Sequence, residues 1–411
     1  MIFRYIAGLT QLVECQLPKL DVAGSSPVSR STLSRRLSGL TLIAFLGCLG
    51  CIPESEEVAF DQVPSEGELT VLAEGEKGLK VLDPRNGWWP IAAFSKDDVL
   101  HVGWCNGRTG YVWYARQGLD GRWTKEPIDT SPGAGRYMTM TLGRDGRPIF
   151  AYQVQELGIY RLLRQTESGW KQSVISKVDG DGRAGRLFES KDGRLHLVYF
   201  GVKEGFQYSY TDTKGAWNHE VITKEAQGSH SVRPDLFVHD DGRVTVMYGD
   251  ARMVKTGLER AERDLKGKWT ITSVDTHKSP GRSVVFIGEG KDPTTEWVYS
   301  VNGRAWIKIG AKNKDTRWIA RHASFVRAAR DQDGQLVILT GGTDQTLTTY
   351  SRHAYLIRYD KRHQKHRHFK IGEATVVHAD LAINSKGRIV SVFTNEGDGT
   401  LYLHSLKPNQ Y

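Results

Sequence analysis

The chain has 411 residues, 39% hydrophobic and 25% charged, enough to bury one large core or two smaller ones. Lys+Arg 56 against Asp+Glu 47 leaves a formal charge of +9. Five bases and two acids fall in the first 50 residues, so residues 51–411 carry only +6, a mild excess that suits a solvated surface or an acidic ligand and argues against nucleic acid as a partner.

The N-terminus divides into three stretches. Residues 1–30, with Gln11 to Arg30 at their centre, resemble the conceptual translation of a transfer-RNA gene. They are read as an artefactual or disordered extension, with the true start expected near Leu33. Residues 31–48 form an export signal: Arg35-Arg36, an apolar run from Leu37 to Leu46, then Gly47-Cys48. The run is too short to span a bilayer as a helix. Phe45-Leu46-Gly47-Cys48 supplies the two apolar residues and the small residue that a lipoprotein signal places before its cysteine, so Cys48 is the expected lipidated residue, with Cys51 as the rival. An exported protein, lipid-anchored in a cell envelope, is the corresponding expectation. A plain signal peptide with incidental cysteines is the alternative. Residues 49–66, acidic and containing proline, read as a tether.

From there one phrase recurs: an apolar strand, an Asp-Gly-type turn, a second strand ending in an aromatic, a third strand, a Gly turn, then Trp and a fourth strand. The turns at Asp97, Asp145, Asp192, Asp241, Asp292, Asp333 and Lys386 stand 48, 47, 49, 51, 41 and 53 residues apart, near the ~40–50 of a four-stranded propeller blade. Asp-Gly between short apolar runs signals a hairpin, read here as a type I′ turn. Trp123, Trp170, Trp217, Trp269 and Trp318 follow their turns by 25 to 28 residues and read as wedges between blades. The expected fold is all-β: one seven-bladed β-propeller of four-stranded blades over residues 67–411. The last repeat lacks a fourth strand, and Gly67 to Ala73 is expected to complete it and close the ring.

The A–B and C–D turns are tight, whereas the B–C loops and the crossings between blades are longer and polar, which marks the latter as the working face. Arg136, Arg183, Arg186, Arg233, Arg282 and Arg327 sit at crossings into the innermost strands. Asp235 and Asp380 accompany them, and Glu156 and Asp250 lie in B–C loops. Such a set converges on the mouth of the central channel. It suits a carboxylate, sulfate or phosphate, or else neutralises itself and glues blades together. The histidines of Lys361 to His368 read as a solvated turn in preference to a metal site, since alternate strand residues share a face. Cys105 is the lone cysteine of the folded part and reads as a buried small residue. Trp88-Trp89 could offer a ring to a sugar, with core packing as the default reading.

The phrase strand, Asp-Gly, His-Val-x-Tyr, Gly-x-Trp resembles the sialidase-like, BNR-type propeller repeats of exported bacterial proteins, over residues 67–411. Ser190-Lys-Asp-Gly and Ser300-Val-Asn-Gly-Arg-Ala-Trp306 match the family's Asp-box, Ser-x-Asp-x-Gly-x-Thr-Trp, in part. The resemblance implies the fold. The family's Tyr–Glu pair, acid/base Asp and Arg triad find no matched positions here. The functional expectation is therefore a monomeric propeller, without cofactor, whose Arg-rich face binds an anionic glycan, peptide or partner protein. Two alternatives stand beside it. One is a sialidase-like glycoside hydrolase or polysaccharide lyase using Arg136, Arg233 or Arg282 for the carboxylate and Asp235, Glu156 or Asp380 as acid or base. The other is an envelope scaffold.

Overall fold

The computed structural model describes residues 68–71 and 87–407, apart from 178–181, 202, 204, 226–232, 250–257, 276–280, 289–290, 302–305, 312–313, 321–324, 344–351, 361–364, 396 and 398. Cys48, Cys51, Asp250 and His363 lie outside the described residues.

A short strand β1 (Glu68–Val71) precedes five antiparallel sheets of four strands each, taken in chain order. They are β2–β5 (Gly87–Phe94, Leu100–Asn106, Val112–Gln117, Trp123–Asp129) and β6–β9 (Arg136–Leu142, Pro148–Val154, Ile159–Thr166, Gly169–Lys177). Next come β10–β13 (Gly182–Glu189, Leu195–Gly201, Gly205–Thr211, Trp217–Thr223) and β14–β17 (Asp235–Val238, Val244–Gly249, Leu258–Arg263, Trp269–Asp275). The fifth is β18–β21 (Gly281–Phe286, Glu296–Val301, Trp306–Ala311, Lys314–Ala320). The sixth sheet contains β22 (Arg327–Arg330), β23 (Leu336–Thr343), β24 (Arg352–Asp360), β25 (Lys365–Ile383), β26 (Ile389–Asn395) and β27 (Leu401–Leu406). With β1 it has seven strands, ordered β1-β27-β26-β25-β24-β23-β22.

This is an all-β propeller of four-stranded antiparallel blades. The expected seven separate blades are not what the hydrogen bonds give: there are six sheets among the described residues. The reason is β25, whose 19 residues run unbroken through the sixth and seventh sequence repeats. Its first part, Lys365 to Thr375, pairs with β24, and Val376 to Ile383 pairs with β26. At the other edge β1 pairs with β27 in the register Glu68↔Ser405 to Val71↔Tyr402.

The turns are built differently from the expectation too. A type I′ turn needs two consecutive residues at positive φ. Here only the glycine has it, as at Gly193 (φ 84) and Gly242 (φ 89). The amide of Gly193 bonds the carbonyl of Ser190 while Ser190 and Arg194 close the ladder, the pattern of a three-residue hairpin with a left-handed final residue. In the first sheet Asp98 (φ 60) takes the glycine's place, as short polar side chains tolerate this conformation better than most.

Burial follows position in the sheet. The second strands, such as Leu100–Asn106 and Leu195–Gly201, are buried at every residue, because both faces are covered by neighbouring sheets. The fourth strands, such as Trp123–Asp129, alternate with solvent. Seven apolar clusters fill the spaces. One joins Val102 and Trp104 to Val390 and Leu403, that is, the first sheet to β25–β27. Five others join successive sheets, for example Tyr114 with Phe150 and Phe206 with Tyr248. The seventh lies within the seven-stranded sheet, between Val337 and Phe393. Gly103 shows how tight this packing is: a Cβ there would fall 2.4 Å from the ring of Phe150, a neighbour fully buried and unable to yield.

The tryptophans wedge between sheets as expected. Trp170 of the second sheet stacks edge-on against Tyr114 of the first, and its Nε1 donates to Glu126 Oε1 at 2.9 Å. Trp269 of the fourth repeats this on Tyr208 and Glu220 of the third. The side chain of Trp318 is not among those described. A second kind of link recurs between successive sheets. Tyr152 Oη donates to Asp129 Oδ2 at 2.6 Å, Tyr199 Oη to Ser176 Oγ at 3.0 Å, and Tyr299 Oη to Asp275 Oδ2.

Candidate functional site: the ends of the inner strands

The first strands of the sheets lie side by side, and the carbonyl of Arg233 accepts from the amide of Val284 in the next sheet at 3.1 Å. Such strands have one ladder edge without a partner in their own sheet. Its amide groups must be satisfied by something else.

Side chains at one register position supply the answer. Thr139, Arg186, Asp235, Arg327 and Asp380 pair with Ala151, Val198, Met247, Leu339 and Val392, each the fourth residue of a second strand. Ile91 and Val285 are the apolar members of the same ring. Thr139 Oγ1 accepts from the amide of Leu187 at 3.2 Å, Asp235 Oδ2 from Phe286 at 2.7 Å, and Asp380 Oδ2 from Ala92 at 3.0 Å. In each case the acceptor reaches the first strand of the next repeat.

The two aspartates also face the arginine of the preceding repeat. Arg186 Nε lies 3.0 Å from Asp235 Oδ1, and Arg327 Nε lies 3.5 Å from Asp380 Oδ1. The second is an ion pair without a hydrogen bond, for Arg327 Nε is buried and has no hydrogen-bond partner. The rest of that guanidinium donates to Val326 O at 2.6 Å and Ser283 Oγ at 3.4 Å. Arg186 is half exposed, whereas Arg327 and Asp380 are nearly enclosed.

Arg233 joins this group from the segment before β14. Burial lowers its pKa, Asp380 partly offsets that, and the charge of Arg186 adds to the lowering. Arg327 is held well below the ordinary value by burial and then by Arg233 beside it. Three guanidiniums thus share the space with two carboxylates, and both carboxylates are already engaged by an arginine and a backbone amide. Arg233 makes no side-chain hydrogen bond to a described residue.

The other candidates fall elsewhere. Arg136 opens β6, half buried, and its charge acts on the thiol of Cys105. Glu156 is exposed in the short 3-10 turn Gln155–Leu157, with its side chain laid over Gly133. Neither is brought into the Arg–Asp group. Arg282 lies in β18, but its side chain, like that of Arg183, is not described. Cys105 is buried, donates to Ala134 O at 3.1 Å, and burial pushes its thiol up to about 12, far from a nucleophile. His366 and His368 fall within β25.

Sequence reasoning missed Thr139, Tyr137 and His378. The signal for Thr139 was available: it holds the same phase relative to its second strand as Asp235 and Asp380. Tyr137 and His378 stand two residues before Thr139 and Asp380, as Arg233 does before Asp235.

No protein-family model matches the chain, and no curated protein sequence matches it. Solved structures do. The oligogalacturonate lyase of Vibrio parahaemolyticus superposes with a TM-score of 0.55 at 14% identity, over 86% of this chain and 97% of that one. A mutant puromycin hydrolase superposes with a TM-score of 0.51 at 13% identity, over 79% of this chain and 53% of that one. A lectin in complex with α-methyl fucoside reaches 0.49 at 14% identity, over 71% and 96%. At such identities the likeness concerns the fold alone.

Proposed function

We propose that this is an exported propeller, held to the cell envelope by a lipid on Cys48, that binds an anionic glycan, peptide or partner protein at the mouth of its central channel without catalysis. We read the seven-stranded sheet as two blades sharing β25, which makes seven blades in a ring completed by β1.

The observation that carries the binding reading is Arg233. Enclosed charges are ordinarily paired, and here a third guanidinium stands among two carboxylates that are already taken. An incoming carboxylate, sulfate or phosphate would complete the balance through the planar fork of arginine. The same geometry speaks against catalysis. A general base works best unpaired and aimed at substrate, whereas Asp235 and Asp380 each already face a guanidinium and accept a backbone amide, which holds them as fixed counter-charges.

The test is an acidic-glycan array probed with wild type and Arg233→Ala. Retention of acidic sugars by wild type and its loss in the variant supports the reading. Failure of wild type to bind any acidic sugar removes the glycan reading and leaves the envelope-scaffold role ahead.

A further inference from the structure

Two residues before members of the Arg–Asp ring stand Trp89, Tyr137, Arg233, Ser283 and His378, with Arg233 in the segment before β14. This second set is divided by chemistry. Trp89 lies 5.4 Å from Tyr137 and 5.3 Å from His378, centroid to centroid, so rings from β2, β6 and β25 meet in one arc. Tyr137 is buried, while Trp89 and His378 are partly exposed. Arg233 comes from the fourth repeat, on the other side of the channel, and Asp380, two residues along from His378, is the opposite charge that acts on it.

Two further observations set this arc apart from ordinary core. Trp89 (φ 48) and Tyr137 (φ 52) hold left-handed backbone conformations, which are strained for large side chains. They occupy equivalent bulges, between Trp88 and Ile91 and between Arg136 and Thr139. The strain is repeated in adjacent blades, and it sets the direction of both rings. In addition, the Nε1 of Trp89 is buried and meets no acceptor, a donor that proteins seldom leave unmet.

A partly exposed aromatic face and a guanidinium from another repeat match a ring with a C–H face and a carboxylate on its edge. We infer that the channel mouth takes a hexuronic acid residue of a glycan, its ring face on Trp89 beside His378 and its carboxylate on Arg233. Stacking serves the face, and bidentate hydrogen bonding serves the edge. A peptide carboxylate lacks the face, and inorganic sulfate lacks both face and ring. This inference rests on the anion-binding reading above and adds the aromatic half to it.

The test is calorimetric titration of the intact protein with methyl β-glucuronide, methyl β-glucoside and sodium sulfate, for wild type, Arg233→Gln, Trp89→Leu and Trp89→Phe. Wild type should bind the glucuronide at least about tenfold more tightly than either the neutral glucoside or sulfate. Arg233→Gln should lose both anions. Trp89→Leu should lower glucuronide affinity about tenfold and leave sulfate unchanged, the retained sulfate also reporting a folded channel. Trp89→Phe should give a smaller loss in the same direction, and it carries the test should the leucine variant fail to fold. A glucuronide-to-sulfate ratio that is the same in wild type and both Trp89 variants overturns the uronate site while sparing the anion reading. Wild type that binds neither anion overturns both.

Discussion

Asp380 Oδ2 accepts the backbone N–H of Ala92 at 3.0 Å across 288 residues of sequence. The contact ties the inner strand of the last repeat to that of the first. The same carboxylate holds Arg327 from the repeat before it, so one side chain bridges three repeats.

Asp380→Asn keeps an acceptor for Ala92 but leaves the guanidinium of Arg327 without its counter-charge, next to Arg233. Removing one partner of an enclosed pair is the costly change. The variant should lose about 2–4 kcal/mol of stability, measured by urea unfolding. Arg327→Met in the same background should recover more than half of that loss, because it removes the stranded charge. Equal and additive losses from the two substitutions would show that the pair does not act as one.

Strand β1 covers the outer edge of β27. A chain begun after Val71 should still fold its remaining sheets, but with a lower urea midpoint. It should also scatter light in proportion to concentration, since a bare edge offers unpaired amides to another molecule. Unchanged midpoint and scattering would mean that the β1 pairing contributes nothing.

Trp269 anchors Glu220, and Arg263 closes on the same carboxylate at 2.6 Å. Trp269→Phe retains a ring against Tyr208 and should cost about 1 kcal/mol, the worth of the indole hydrogen bond. Trp269→Ala also opens the interface between two sheets and should cost about 2–4 kcal/mol. Thermal unfolding of the two variants separates the terms.

Stability should fall on mild acidification. Burial holds His101, His196 and His404 down to about 4, from an ordinary value of 6.5. His101 Nδ1 shares a hydrogen bond with Tyr114 and His196 Nδ1 one with Tyr208, both at 2.7 Å, while His196 Nε2 meets Ser190. The unfolded chain takes up protons from about pH 6.5 downward and the folded chain does not. The neutral rings therefore stabilise the fold fully above pH 6.5, and the contribution is lost as pH falls toward 4. Each histidine should weaken the fold by up to ~1.4 kcal/mol per pH unit within that window. Urea midpoints between pH 7 and pH 4.5 check this, and His101→Gln should flatten the slope.

The repeat, the four-stranded blades and the wedged tryptophans could all be read from the chain, because they rest on local chemistry. Turn residues, strand alternation and ring spacing each act within one repeat. What stayed hidden depends on pairs one repeat or more apart. Arg186 and Asp235 were each recognised, but their pairing follows from a shared register that a bulge between Arg183 and Arg186 conceals. That bulge shifts the count by one residue, and a one-residue shift changes which side chain faces the axis. The Tyr152–Asp129 link escaped for the same reason. The fusion at β25 escaped because nothing in residues 365–383 breaks a strand: glycine at 372 is the sole candidate, and neighbouring pairing overrides it.

That unbroken strand limits how the molecule can vary. Between β5 and β6, residues 130–135 lie outside strands, and a chain can lengthen there without disturbing either ladder. At β25 the two ladders meet with Thr375 bonded on one side and Val376 on the other. Residues 372–374 already step out of register between Ala354 and His353, so the slack lies there, whereas an insertion within 365–371 or 378–383 would turn a row of side chains inside out. Diversity among descendants of this chain should therefore gather at the crossings and spare those two segments.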